Sequence, residues 1–590
     1  MRHRLLVVLL AAVVLLAGCA AVPTKGTIRS GERQGRAQDL GGVGVEAKPP
    51  RANVGAMAIV SGFLEAMSDS QAFDVARQYM TPEAAAKWQP EAQTVVYDQS
   101  PESLTRVGDD VQLSALKIAT IGERGEWIPA AATDRADFLF KLKKIDGQLR
   151  VDSVPPGAYL GSNQVDLKLA PRDLYFFNPS LKILVPDPVY LPQNLSPGQG
   201  ATQLIQELLK GPTSRLGNGV VTLAPPGTEV QVSVPVDLGV ATVALNDAAG
   251  ALRDPDRRML AAQIVWTLNQ LNLRAKITVG GAPLLPDDPD VLPFANFNQY
   301  DPQVSAGSQT KLYGLQHQKV QRIVGLDGAS EIAAQPLNSS PLWAHKAQSF
   351  AVSLRGEAGA IVTAAGNEVL YGPLDTTDKD ADSVAITVEG KTLQPSFDNQ
   401  DNLWILDRAT NPHPRLRVRD HDGHLTSVAV DFKGDTPLDL RMAPDGVRVL
   451  LVMKPKSGGQ NYVQTGTIQT TGSGKQLVLA QLRQLRLALN NITDAAWNKQ
   501  GIVVIGASNQ TTNSARQAWL VNTDGSSLQL LPGSTPDFRP QYVASNPNKD
   551  TLPVIEDDAG RIHWLSRDLV WISPDSVGGG AAAITPTYPG

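Results

Sequence analysis

The sequence predicts a multidomain chain: two α+β domains, then an all-β propeller of about five blades. Three observations predict it. Residues 54–165 carry helix-spaced apolar positions and then hairpin-like strands. Residues 172–286 alternate amphipathic helices with half-buried strands. Residues 311–575 read as strands only. In them a turn followed by a short apolar run recurs roughly every 45–55 residues, the period of a propeller blade.

The chain opens with a positive cluster, Arg2, His3 and Arg4, followed by an unbroken apolar run from Leu5 to Leu16. That run is shorter than the about 20 residues a membrane-spanning helix needs. It fits the apolar core of an export signal. It ends in Leu16-Ala17-Gly18-Cys19, which holds the only cysteine and resembles the lipobox of bacterial lipoproteins. The resemblance implies that the Cys19 thiol takes a diacylglyceryl group as a thioether. Small Ala17 and Gly18 admit a peptidase to the Gly18–Cys19 bond, and the freed amine takes a further acyl chain. Residues 1–18 are then a signal peptide, and Cys19 binds membrane lipid. Two or more chains anchor stably where one is marginal.

Of 590 residues, 42% are hydrophobic and 19% charged, ordinary for globular domains. Net charge is −5, so no basic bias points to nucleic acid. A lipidated Cys19 leaves no thiol for a disulfide, so packed cores must hold the domains.

Residues 19–53 are rich in Gly and polar residues, with Pro49-Pro50, and read as a flexible tether. In the first domain Ile59, Phe63 and Met67 recur at i, i+4, i+8, one face of a helix. A second helix over Gln71–Tyr79 is expected to stop at Thr81-Pro82. Phe138–Leu142 and Leu149–Val151 flank Asp146-Gly147, a hairpin signal. Phe63 to Trp88 resembles nuclear-transport-factor-like cone domains, which often hold a pocket.

In the second domain Ala201, Leu204, Ile205, Leu208 and Leu209 line a helix that Gly211-Pro212 ends. Leu260, Ile264, Leu268 and Leu271 mark another helix. Val230, Val232 and Val234, and later Ala275, Ile277 and Val279, alternate with polar residues as strands. Tyr175-Phe176-Phe177, Leu184-Val185-Pro186, Leu208–Pro212, Pro225–Thr228 and Thr267-Leu268 are similar, in order and spacing, to the GerMN domain. Residues 287–310 read as a linker or an irregular packing segment.

In the third region the repeat starts at Ser349, Pro395, Leu440, Ala496 and, weakly, Tyr542, which suggests five blades, with six as the alternative. Lys319–Val324 and Ile562–Ile572 are the expected closing pair, and two stacked β-sandwiches are the alternative architecture. The Gly/Ala/Pro-rich residues 576–590 are expected to be a disordered tail.

Lipobox, cone, GerMN domain and propeller, in that order, resemble the LpqB lipoproteins of actinobacteria. The resemblance implies a lipid-anchored protein on the outer side of the plasma membrane. It also implies a partner, the extracytoplasmic domain of the sensor kinase of the MtrAB two-component system.

Local chemistry is sparse. Asp378, Asp380, Asp382 and Glu389 follow part of a calcium-loop template, although Ser383 stands where that template has Gly and Val384–Val388 looks like a strand. Calcium is the one cofactor candidate; the alternative is a solvated acidic turn. His421 and His424, with Asp420 and Asp422, suggest a metal site but fall on an Asp422-Gly423 hairpin turn, which favours an exposed turn. There is no Gly-x-Ser-x-Gly, and no catalytic residue is assigned. Trp404, Trp497, Trp519, Trp564 and Trp571 are core candidates, or stacking faces if a channel mouth exposes them. The main expectation is therefore a binding or accessory module. The alternative is a protein that binds or acts on peptidoglycan glycans through a cone or propeller pocket.

Overall fold

A computed structural model describes residues 47–68, 73–100, 102–303, 311–325, 333–376, 378, 382–471, 476–510, 514–532, 538–547, 553–566, 568–573 and 584–590. The signal and Cys19 lie outside these residues. Residues from Ala47 onward form one compact unit.

The first domain starts with the Ala56–Met67 helix, which buries Ile59, Phe63 and Met67 as their spacing predicts. Thr81-Pro82 stops one short helix, Phe73–Gln78, and begins another, Pro82–Lys87. Thr81 caps the new helix by accepting from the Ala84 N–H, and proline occupies a first-turn position where no N–H is needed. The helices cover a sheet ordered Leu104–Val107, Asp110–Gly122, Gln93–Tyr97, Ala158–Gly161. Asp146 and Gly147, at φ 49° and 77°, make the tight turn joining Leu142–Ile145 to Gln148–Val151. Phe63, Trp88, Phe138, Phe140, Tyr97 and Tyr159 pack ring against ring inside the cone. Residues 47–53, expected in the tether, are bound to this domain instead. The Tyr79 hydroxyl donates to the Lys48 carbonyl at 2.7 Å. Asn53 and Gln148 exchange two hydrogen bonds, at 2.7 and 3.0 Å. Polar composition alone does not reveal partners that lie far along the chain.

The second domain pairs Leu169–Phe177 with Leu184–Pro192 and sets a parallel pair, Val240–Leu245 and Arg274–Val279, under two helices. The Pro197–Leu209 helix opens with a Ser196/Gln199 capping box. Gly211, at φ 86°, follows its end. The Asp254–Asn269 helix buries Leu260, Ile264 and Leu268 against the first helix and the sheet. One strand expectation fails. Val230 makes a single bridge to Leu245, and Val232 is 85% exposed. Pro235, which has no N–H for a ladder, interrupts the segment. As far as residue 303, the stretch from 287 is the irregular packing segment and not the linker. Phe297 is fully buried, Trp266 donates to its carbonyl, and Tyr300 stacks edge-on against Phe177. Asn and Gln content concealed these aromatic anchors.

Among the described residues the third region comprises six four-stranded units. Five begin with Ala347–Val352, Ser396–Phe397, Thr436–Met442, Leu489–Asn498 and Pro540–Ala544. The second and third of these share a short parallel edge, Val428–Ala429 with Leu477–Val478. The sixth unit is Leu312–Gln316, Lys319–Val324 and Ala333–Pro336, completed by Thr585–Thr587. Of the expected five blades, or six, the described residues form six. The repeat signature missed one because that unit takes its first strand from the other end of the region. Two further expectations change. Lys319–Val324 does not pair with Ile562–Ile572; Tyr313 pairs with Thr587 and Leu315 with Thr585. Residues 584–590 are not a disordered tail: Ile584 is buried, and the Gly590 N–H donates to the Val352 carbonyl at 2.9 Å.

Candidate functional site at the propeller mouth

The first turn of most blades is folded around a side-chain oxygen. Ser353 Oγ accepts from the N–H groups of Glu357 and Ala358. Asp398 Oδ1 accepts from Gln400 and Asn402. Asp445 Oδ1 accepts from Val447 and Arg448, and Asn498 Oδ1 from Gln500. Short acceptors that bond backbone two to five residues on are what tight turns select. Asp398 is buried, which pushes its carboxyl upward, while Trp404 and Asn402 donate to it. These turns bring Leu354, Pro444, Trp497 and Pro547 around one end of the propeller axis.

The axis itself is crossed by Arg441. Its Nε donates to Asp439 at 2.7 Å. Its Nη2 reaches both Asp494 oxygens at 3.1 Å, and its Nη1 reaches the Val543 carbonyl at 3.1 Å. These partners lie on the first strands of three successive blades. Burial drives the Asp494 carboxyl upward against the pull of Arg441. One guanidinium faces two carboxylates, so its own charged state is reinforced. The space left beside it is a cavity of about 50 Å³.

The second domain is seated on this mouth. Asn178 Nδ2 donates to the Asp445 carbonyl at 3.1 Å, while its Oδ1 accepts from Lys182 and Ile183. The Tyr190 hydroxyl bonds Ser526 Oγ. Arg215 donates twice to the Thr523 carbonyl, at 3.1 and 3.2 Å, and Thr467 donates back to the Arg215 carbonyl. Between the two domains remains a cavity of about 220 Å³, lined by Asp173, Tyr175, Arg448, Trp497, Asp524 and others.

Beside that seat all three domains meet at Ser214. Glu126 of the first domain accepts from its N–H and hydroxyl, and Arg483 of the propeller donates to the same hydroxyl at 2.7 Å. Asp187 is buried and fixes the neighbouring Thr213 by accepting from its N–H and hydroxyl, at 2.7 and 2.8 Å. Arg124 of the first domain reaches the C-terminal end of the Pro197–Leu209 helix. It donates to the carbonyls of Glu207, Gly211 and Pro212 and pairs with the Glu207 carboxylate at 3.2 Å. A cation there satisfies helix-end carbonyls that have no partner within the helix. Arg486 of the propeller donates to the carbonyls of Lys117 and Ala131.

The candidate residues read from sequence fall elsewhere. Gly18 and Cys19 lie outside the described residues, as does Asp380. Asp378 and Asp382 are exposed, and Asp382 accepts from the Ser383 N–H. Glu389 is taken up by ion pairs. It pairs with Arg408 at 2.5 Å and Arg415 at 3.6 Å, because Val384–Thr387 is a strand that carries it toward the next blade. Asp420, Asp422 and His424 do converge on the hairpin turn, with the His424 ring 3.2 Å from Asp420; His421 is not among them. Trp404, Trp497 and Trp564 are buried, and Arg448 lies over the Trp497 ring at 5.2 Å. Spacing did not expose the Arg441 set or the Ser214 junction, whose members come from distant segments.

Among the described residues no helix is long and apolar enough to cross a membrane. The chain matches three family models in order. These are the N-terminal domain of lipoprotein LpqB over residues 49–166, the sporulation and spore germination domain over 173–285, and the lipoprotein LpqB beta-propeller domain over 331–589. It is 28% identical to Lipoprotein LpqB of Streptomyces coelicolor over 98% of this chain and 96% of that protein. It is also 28% identical to Lipoprotein LpqB of Thermobifida fusca over 95% of each. With Lipoprotein LpqB of Mycolicibacterium smegmatis it shares 26% identity over 93% of each. Three matched domains in one order, and relatives aligned nearly end to end, place the chain in the LpqB lipoprotein family.

Proposed function

We propose that the protein is an extracytoplasmic binding module, held to the plasma membrane by lipid on Cys19, that presents three joined domains to a partner. The partner we infer is the extracytoplasmic domain of the sensor histidine kinase of the MtrAB two-component system. The observation that carries this reading is the Ser214 junction, where Glu126 and Arg483 grip one hydroxyl from two other domains. Arg124 and Arg486 reinforce it. Such a body presents one composite surface, which suits recognition of another protein.

A glycan-acting site draws less support. The cone interior is filled by aromatic rings. Of the five candidate stacking faces, Trp404, Trp497 and Trp564 are buried and Trp519 and Trp571 half-buried. The test is site-specific photo-crosslinking in intact cells from exposed positions such as Val232 and Leu530. Adducts with the kinase ectodomain, lost when Cys19→Ala releases the protein from the membrane, are expected. Adducts only with wall glycan, or none with the kinase from any exposed position, would overturn the reading.

A further inference from the structure

The cavity between the second domain and the propeller mouth is about 220 Å³. That is more than an apolar hole that admits benzene, about 150 Å³, and less than the roughly 300–1,000 Å³ of drug-sized sites. Its lining carries both signs of charge. Asp524 is 1% exposed, and its Oδ1 accepts from the Ser526 N–H and hydroxyl. Its Oδ2 has no hydrogen-bond partner among the described residues. A buried carboxylate oxygen left unbonded is costly unless something binds it. Asp173 lines the same cavity and lies close enough to Asp524 for the two charges to repel. Loss of solvent pushes the Asp173 carboxyl up to about 6, with Arg448 opposing. Arg172 and Arg448 bring cationic groups to the cavity, and Trp497 and Tyr175 bring aromatic walls. Arg448 is already shared with Asp445 at 2.6 Å.

We propose that this cavity binds an amino-acid-sized zwitterion, its ammonium between Asp173 and Asp524 and its carboxylate toward Arg172 and Arg448. A lone anion meets two carboxylates there, and a lone cation leaves the guanidinium groups unused. A molecule with both charges satisfies each set, as charge-assisted hydrogen bonds require. Because the cavity is walled by two domains, an occupant touches both and tightens the seat. This inference does not depend on the kinase reading.

The test is calorimetric titration of the full chain in detergent micelles with L-lysine, cadaverine and hexanoate. Lysine is expected to bind, and cadaverine and hexanoate to bind about tenfold more weakly or not at all. Asp173→Asn and Asp524→Asn are each expected to weaken lysine by about tenfold or more, while Asp173→Asn keeps the wild-type melting temperature. No heat with lysine would overturn the proposal. So would equal binding of cadaverine or hexanoate, or unchanged affinity in Asp173→Asn. Should Asp524→Asn fail to fold, Asp173→Asn decides alone.

Discussion

Arg441 and Asp494 are joined across two propeller blades, one guanidinium nitrogen 3.1 Å from each carboxylate oxygen. Arg441 also holds Asp439 and the Val543 carbonyl, so one side chain ties three blades at the axis. Breaking a buried pair by deleting one partner costs more than the pair contributes, because the other charge is stranded.

Arg441→Met is therefore expected to destabilise the propeller by about 3–5 kcal/mol. Replacing Asp439 and Asp494 by Leu in the same chain is expected to restore part of that loss. Urea unfolding followed by tryptophan fluorescence checks it. A variant with an unchanged midpoint would show that the axis does not depend on this arginine.

Glu556 gives a pH dependence. Its carboxyl is buried next to Thr585, and desolvation pushes it up to about 7 from 4.5. Between those values the folded chain keeps a proton that the unfolded chain has released. Stability from this group therefore falls as pH rises through that window, by on the order of 3 kcal/mol in all. Glu556→Gln is expected to flatten this part of the curve, seen as urea midpoints that drop less between pH 5 and pH 8 than in wild type.

Arg124→Ala is expected to free the carbonyls of Glu207, Gly211 and Pro212 and to cost about 1–3 kcal/mol. Hydrogen exchange should quicken at the Gly122–Glu126 turn and around Lys210–Ser214, with blade amides unaffected. Faster exchange confined to the first domain's sheet would contradict a clamp between domains.

Gly314 lies where the closing strand, Thr585–Thr587, joins the sixth unit. A Cβ added there would come within 2.3 Å of Ile584 and 2.9 Å of Ile323. Gly314→Val is expected to expel Thr585–Thr587 and expose the Leu312–Gln316 edge. Limited proteolysis should then cut near residue 584 while the first two domains stay intact.

Much of the fold could be read from spacing. Ile59, Phe63 and Met67 declared a buried helix face, and Asp146-Gly147 a tight turn, because both signals are local. The Thr585–Thr587 strand could not be read: three residues in a Gly/Ala/Pro-rich stretch carry no alternation, and their partner lies at Leu312–Gln316. Arg441 stood in the recognised repeat, but nothing local distinguished a buried guanidinium from a surface one. Its partner Asp494 belongs to another blade. Polar sites assembled from separate turns are visible only once the turns meet.

The clasp made by Tyr313 and Thr587 also dictates an order of assembly. Until Thr585–Thr587 has emerged and docked, the Leu312–Gln316 strand shows bare N–H and C=O groups along one side, an invitation to any passing strand. A chain stalled midway through synthesis holds an unfinished ring with a sticky rim. Quality control acting on this protein therefore has a clear cue, since a ring either shuts or remains open.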